Sequence, residues 1–288
     1  MSLLETVKQF FTRLFGLNDI AVDLKPLSNE LRTFLSQNVS FYAALNETEK
    51  SVFEQRAGMF LQTTQIIGHD VEVTEQDKLL VASAAIMLVW RFPDWYYVNL
   101  HTVSLVSGSF NEHSQFGQPD SGIQGMVGTG AMRGQMILSK PALHYGFSND
   151  RDKKNVALHE FSHLLDTVDG GLDGFPERLS DNVYSVPWLD LVRKEIDKIH
   201  RKQSNIRDYG GTNPMEFFAV ATEYFFERPS MLCRKHPEVY ETLKSFYRQD
   251  VAPLQNRLNP EKKRLAHVAV ANAISDVVTL AVIPSLIV

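Results

Sequence analysis

Cysteine is nearly absent from the 288-residue chain: Cys233 stands alone. One thiol excludes an intramolecular disulfide and any cysteine-rich zinc cluster, and it fits a reducing compartment. An excess of positive charge is missing too. Lys plus Arg total 29 against 34 for Asp plus Glu, a net charge of −5, so no global field draws the chain toward nucleic acid or anionic lipid. No apolar run reaches the ~18 residues of a membrane span. The longest, residues 277–288, is interrupted by Pro284. The N-terminus has no secretory pattern, because Glu5, Lys8 and Gln9 break the apolar stretch. No repeat or low-complexity tract occurs. Gly128-Thr-Gly130 followed by Gly134 matches neither a dinucleotide fingerprint nor a P-loop, so no nucleotide site follows from it.

The remainder is ordinary globular composition, 44% hydrophobic and 22% charged, which excludes a disordered chain and supports a sizeable core. Leu4, Val7, Phe11 and Leu14 give an amphipathic N-terminal helix docked on the body. Residues 27–66 read as helical in two pieces, with Asn46 as an N-cap and Val52, Phe53, Ala57, Phe60 and Leu61 as a stripe. Residues 69–74 alternate as a short strand or extended linker, and residues 76–91 form a helix apolar enough to be buried on most sides. Strands are expected at 96–106 and at 136–139. The glycine-rich stretch between them reads as a tight hairpin, or as an edge strand beside a cleft that could pair with an extended peptide. Helices follow at 152–168, 186–202, 213–227 and 237–249. One domain over 1–265 is expected, with an apolar tail at 266–288 of unassigned role.

His159-Glu-Phe-Ser-His163 carries the chemistry. Positions i and i+4 of a helix differ by about 40°, so both imidazoles leave one face a turn apart. Glu160 beside the first of them can take a proton from a metal-bound water. H-E-x-x-H arises by chance in roughly one or two chains in a hundred, and here it lies in a helical pattern. A third ligand must come from elsewhere, since Asp166 and Asp169 stand where the extended motif has Gly and His. Glu216, Glu223 and Glu227 on one later helix are candidates. Glu216 and Glu223 are seven apart and share a face, so spacing does not choose between them. Glu177 and Glu195 are weaker candidates. His144 reads as structural. Asp166, back on the face of His159, is a candidate to orient a ligand imidazole. Asp169-Gly-Gly-Leu-Asp173-Gly lacks the closing Glu of a calcium loop and reads as a turn. Cys233 has no partner pattern of a nucleophile and reads as a buried or half-buried thiol.

The 159–166 segment, together with Tyr209-Gly-Gly-Thr-Asn-Pro-Met-Glu216-Phe-Phe-Ala and its continuation to Glu227, resembles the Mlc titration factor A family of bacterial cytosolic zinc peptidases. The catalytic core of that family is similar to the protease domain of anthrax lethal factor. The likeness is sharpest over 155–250, reaches back weakly to about 40 and leaves out the tail. It implies Glu216 as the third ligand to one Zn2+, after His159 and His163, and Tyr209 as a catalytic residue. It also implies an α+β, zincin-like fold: a small mixed sheet, an active-site helix and a mainly helical C-terminal half. The family can carry a further His ligand ahead of the edge strand, but His113 is out of register for it.

The roles fit a cytoplasmic zinc metallopeptidase acting on a peptide or protein. Glu160 is the general base, Tyr209 donates to the developing oxyanion, and the zinc lowers its water's pKa to roughly 7. The resemblance implies an aminopeptidase. The alternative is a protein that mainly sequesters a transcriptional repressor of the Mlc type and so regulates sugar uptake. No nucleic acid and no membrane span are expected.

Overall fold

Two Asn-capped helices face each other across the site, and the rest of the fold holds them there. The computed structural model describes residues 26–111, 122–149, 152–166, 174 and 185–254. The N-terminal helix, His113 and the 266–288 tail lie outside them. The chain runs α1 (Asn29–Asn38), α2 (Ser40–Ala43), α3 (Glu47–Thr63), β1 (Gln65–His69), α4 (Glu75–Leu88), β2 (Thr102–Val106), β3 (Gly125–Val127), β4 (Gln135–Ser139) and α5 (Lys140–Ser148). Then come α6 (Val156–Asp166), α7 (Ser185–His200), α8 (Pro214–Glu227), α9 (Pro229–Lys235) and α10 (Pro237–Tyr247). A small sheet thus precedes a mainly helical half.

The sheet is mixed, in the order β1-β2-β4-β3. β1, β2 and β4 are parallel, and β3 runs antiparallel on β4. β2 is buried along almost its whole length, as a strand covered on both faces must be. β1 is an exposed edge and β3 the opposite edge. The β3–β4 connection needs left-handed backbone at Gly130 (φ 57°) and Gly134 (φ 84°), which glycine adopts without steric cost.

Helix starts follow local capping chemistry. Asn46 and Glu49 exchange hydrogen bonds in a capping box at α3, and Thr74 with Asp77 does the same at α4. From Leu79 to Leu88 every residue of α4 is buried, and α4 packs on α3, α5 and α6. Arg56, itself buried, donates to the carbonyls of Val89, Trp90 and Phe92 just past the end of α4, fixing the turn that follows the helix. On the core side of α6, Phe161 packs edge-on against Phe60 and Tyr97. Trp188, Phe217, Phe218, Phe246 and Tyr247 fill the space between α7, α8 and α10.

Several elements depart from the sequence reading. The first strand lies at 65–69, before the alternating 69–74 segment. Only 102–106 of the expected 96–106 strand pairs. Tyr97 and Leu100 turn into the core as plugs, and the Tyr97 hydroxyl donates to the carbonyl of Ala85 at 2.8 Å. Helices α5 and α9 are additional. Pro141 and Gly146 hide α5 in the sequence, yet Pro141 sits in the first turn, where its missing N–H costs nothing. Gly146 is needed, since a Cβ there would lie 2.9 Å from the Cα of Asn155. Among the described residues no helix is long and apolar enough to cross a membrane.

Candidate metal centre

Asn155 caps α6 by accepting the N–H of Leu158, and Asn213 caps α8 by accepting the N–H of Glu216. These caps set where each helix begins, and so which turn faces the cleft. From α6, His159 and His163 project one turn apart, with ring centroids 4.7 Å apart and Nε2 atoms 3.1 Å apart. From the first turn of α8, Glu216 brings Oε2 to 3.1 Å from His159 Nε2 and 3.6 Å from His163 Nε2.

The three atoms form a triangle that fits a four-coordinate zinc. Bonds of ~2.0–2.1 Å at tetrahedral angles put ligand atoms about 3.3 Å apart, and the observed edges of 3.1, 3.1 and 3.6 Å bracket that value. Glu216 Oε2 is buried with no hydrogen bond, as a ligand atom would be. His159, His163 and Glu216 are the metal-competent group among the described residues. Burial would raise the Glu216 carboxyl, but the two imidazoles outweigh it and hold it down at about 2.

The choice that spacing left open is made by the helix packing. Glu223, two turns along α8, sits behind His159: Nδ1 of the ring lies 2.8 Å from Glu223 Oε1. This bond puts the ring proton on Nδ1 and turns the Nε2 lone pair toward the centre. Glu223 also accepts from Arg207 Nη2 and, at 2.6 Å, from the N–H of Asn155. It therefore fastens the start of α6 to α8 as well as the ring. Asp166 does not serve His159: its Oδ2 accepts the N–H of Gly174 at 2.8 Å instead. Glu227 lies a turn beyond Glu223, outside the triangle, and burial with the nearby Glu223 and Asp152 charges pushes it up to about 9. Glu195 belongs to a separate buried network with His236 (2.9 Å) and Lys198 (2.5 Å). His144 is structural, 2.5 Å from Asp77. Glu177 is outside the described residues.

Glu160 is buried and lines a cleft of ≈ 800 Å³ together with His159, Arg207, Tyr209 and Glu223. Burial raises its pKa, opposed by the two imidazoles. Edge strand β3 passes so close that a Cβ on Gly125 would lie 2.6 Å from Glu160 Cγ and 2.7 Å from Oε1. Tyr209 stands on a 3-10 turn (Asp208–Gly211), 53% exposed, its ring 5.9 Å from that of His159. Burial and then the Glu216 charge push its hydroxyl up to about 12, so it is a proton-bearing donor at neutral pH. Of the five residues the sequence reading singled out, His159, His163 and Glu216 converge, and Glu160 and Tyr209 line the cleft with His159. That reading missed Arg207 and the steric role of Gly125. It counted Glu223 only as a rival ligand, although its seven-residue offset from Glu216 was the available signal.

A sequence profile described as glucose-regulated metallo-peptidase M90 matches residues 17–248. An uncharacterized protein of Synechocystis is 31% identical over 235 residues, 77% of this chain and 85% of that protein. Mlc titration factor A of Klebsiella pneumoniae is 26% identical over 237 residues, 75% of this chain and 84% of that protein. The Yersinia pestis protein of the same name is 27% identical over 226 residues, 74% of this chain and 82% of that protein.

Proposed function

The chain belongs to the glucose-regulated metallo-peptidase M90 family, and from that premise we propose that it is a zinc-dependent peptidase of zincin-like fold, with one catalytic domain over 1–265. The observation that carries this reading is the convergence of His159 Nε2, His163 Nε2 and Glu216 Oε2 with Glu160 and Tyr209 alongside. One zinc, when bound, polarises the scissile carbonyl and acidifies water. His159, His163 and Glu216 hold it, and Glu223 orients His159. Glu160, kept basic enough by burial to accept a proton, takes one from the attacking water and delivers it to the leaving amine. The Tyr209 hydroxyl donates to the developing oxyanion. Among the described residues β3 pairs only with β4, and its position beside Glu160 supports an extended peptide as the substrate.

Finer points rest on the family resemblance: aminopeptidase specificity and a cytoplasmic setting. A second reading comes from the relatives named for titrating Mlc. In it, the chain mainly binds a repressor of the Mlc type and catalyses little.

The test is hydrolysis of a panel of amino-acid and peptide amides by wild type and Glu160→Gln, both shown by metal analysis to hold zinc. We expect activity that a chelator abolishes and that falls about 100-fold or more in the variant. Equal, negligible rates in two zinc-loaded proteins would sink the peptidase reading and favour the repressor-binding one.

A further inference from the structure

The wall of the cleft carries two acids and two cations besides the metal ligand His159: Glu160 and Glu223, Lys154 and Arg207. Of the acids, Glu223 is saturated and Glu160 is the proposed base. Glu160 is buried against Gly125. Glu223 already accepts from His159, Arg207 and Asn155. The cations have capacity left. Lys154 is exposed and makes no ion pair among the described residues. Its backbone is pinned just ahead of α6, where its N–H donates to Asp152 Oδ1 at 3.1 Å. Arg207 gives one Nη2 hydrogen to Glu223, while its Nε is buried with no hydrogen-bond partner. The charge of Arg207 also reaches past the cleft: with burial and Arg228 it lowers the pKa of Lys153.

We infer that Lys154 and Arg207 form a carboxylate-binding subsite, and that the preferred peptide carries an acidic group close to the bond that is cut. The inference rests on the peptidase reading of the same cleft. A guanidinium with donors to spare suits a planar carboxylate, and an ammonium lining the same cleft adds a point charge. The carboxylate is either an Asp or Glu side chain or a free C-terminus. Of the two carboxylates that line the cleft, Glu223 is already paired with His159, Arg207 and Asn155.

Binding tests this without relying on turnover. Zinc-loaded, full-length Glu160→Gln protein is titrated calorimetrically with four peptides: Glu or Gln beside the central bond, each with a free or an amidated C-terminus. We expect about 5–10-fold tighter binding for a carboxylate over its neutral twin, weakening as salt rises. The Glu/Gln pair reports a side-chain source and the acid/amide pair a C-terminal one. Adding Lys154→Glu should erase the preference, and Lys154→Arg should keep it. Four equal affinities, no binding of any peptide, or a preference that survives Lys154→Glu would overturn the subsite. Hydrolysis by zinc-loaded wild type is measured in parallel. An acid preference in binding without turnover would remove the peptidase reading and leave the subsite standing.

Discussion

Three glutamates on one helix show how far environment, not residue type, decides chemistry. Glu216 faces two imidazoles and is held at about 2, whereas Glu227, eleven residues on and 7% exposed, is pushed up to about 9. Glu223 between them is a hydrogen-bond hub. For Glu227 the folded pKa lies above the unfolded value near 4.5. The folded state therefore binds more protons, and stability falls as pH rises from about 4.5 until it levels off above about 9. At ~1.4 kcal/mol per pH unit, the penalty at pH 7 is on the order of 3 kcal/mol. Glu227→Gln removes the titration. In urea melts at fixed metal, the variant should gain on wild type by about that much between pH 5 and pH 8. A stability difference that stays constant across those pH values would show that Glu227 is not buried as a neutral acid.

At the scale of elements, the decisive contact is β3 against α6. Gly125 leaves room for Glu160, and any side chain there pushes on this proposed general base. Displacing a reacting group by about 1 Å costs up to ~100-fold in rate. Gly125→Ala should therefore cut kcat by about 10–100-fold, with zinc content still one per chain and the melting temperature little changed. Wild-type kcat in that variant would show that Glu160 relaxes without consequence. The other site elements were largely written locally. The H-E-x-x-H spacing, Asn46 and the apolar run of α4 each act within one or two turns, and helices formed where they pointed. The 96–106 segment was misread because aromatic and β-branched residues signal burial as readily as strand. Tyr97 is buried as part of a loop.

For the molecule as a whole, a metal in the His159–His163–Glu216 triangle would be a cross-link: two donors come from α6 and the third from α8, more than fifty residues later. An ion bound there stabilises only the folded chain, by about 4 kcal/mol at a thousandfold excess over its Kd. In a chain of this size that is roughly 10 °C in melting temperature. Stripping zinc from wild type should lower the melting temperature by about that amount. The chelator should leave His163→Ala unchanged. A wild-type melt indifferent to chelation would mean that the cluster holds no resident ion.

The sequence by itself determined what short-range rules can carry: a globular chain without disulfide staples, the helix of His159 and His163, and a later helix rich in Glu. Resemblance to a family pointed to Glu216 and Tyr209, which local spacing did not. Only the tertiary structure decided which of two equally spaced glutamates meets the imidazole Nε2 atoms and which stands behind His159. It also showed that Asp166 holds Gly174 and that Gly125 makes room for Glu160. The reason is physical: i,i+4 and i,i+7 relations fix which residues share a helix face. What that face meets depends on how α6, α8 and β3 are set against one another, and that is decided by the buried aromatic and aliphatic packing of the entire core.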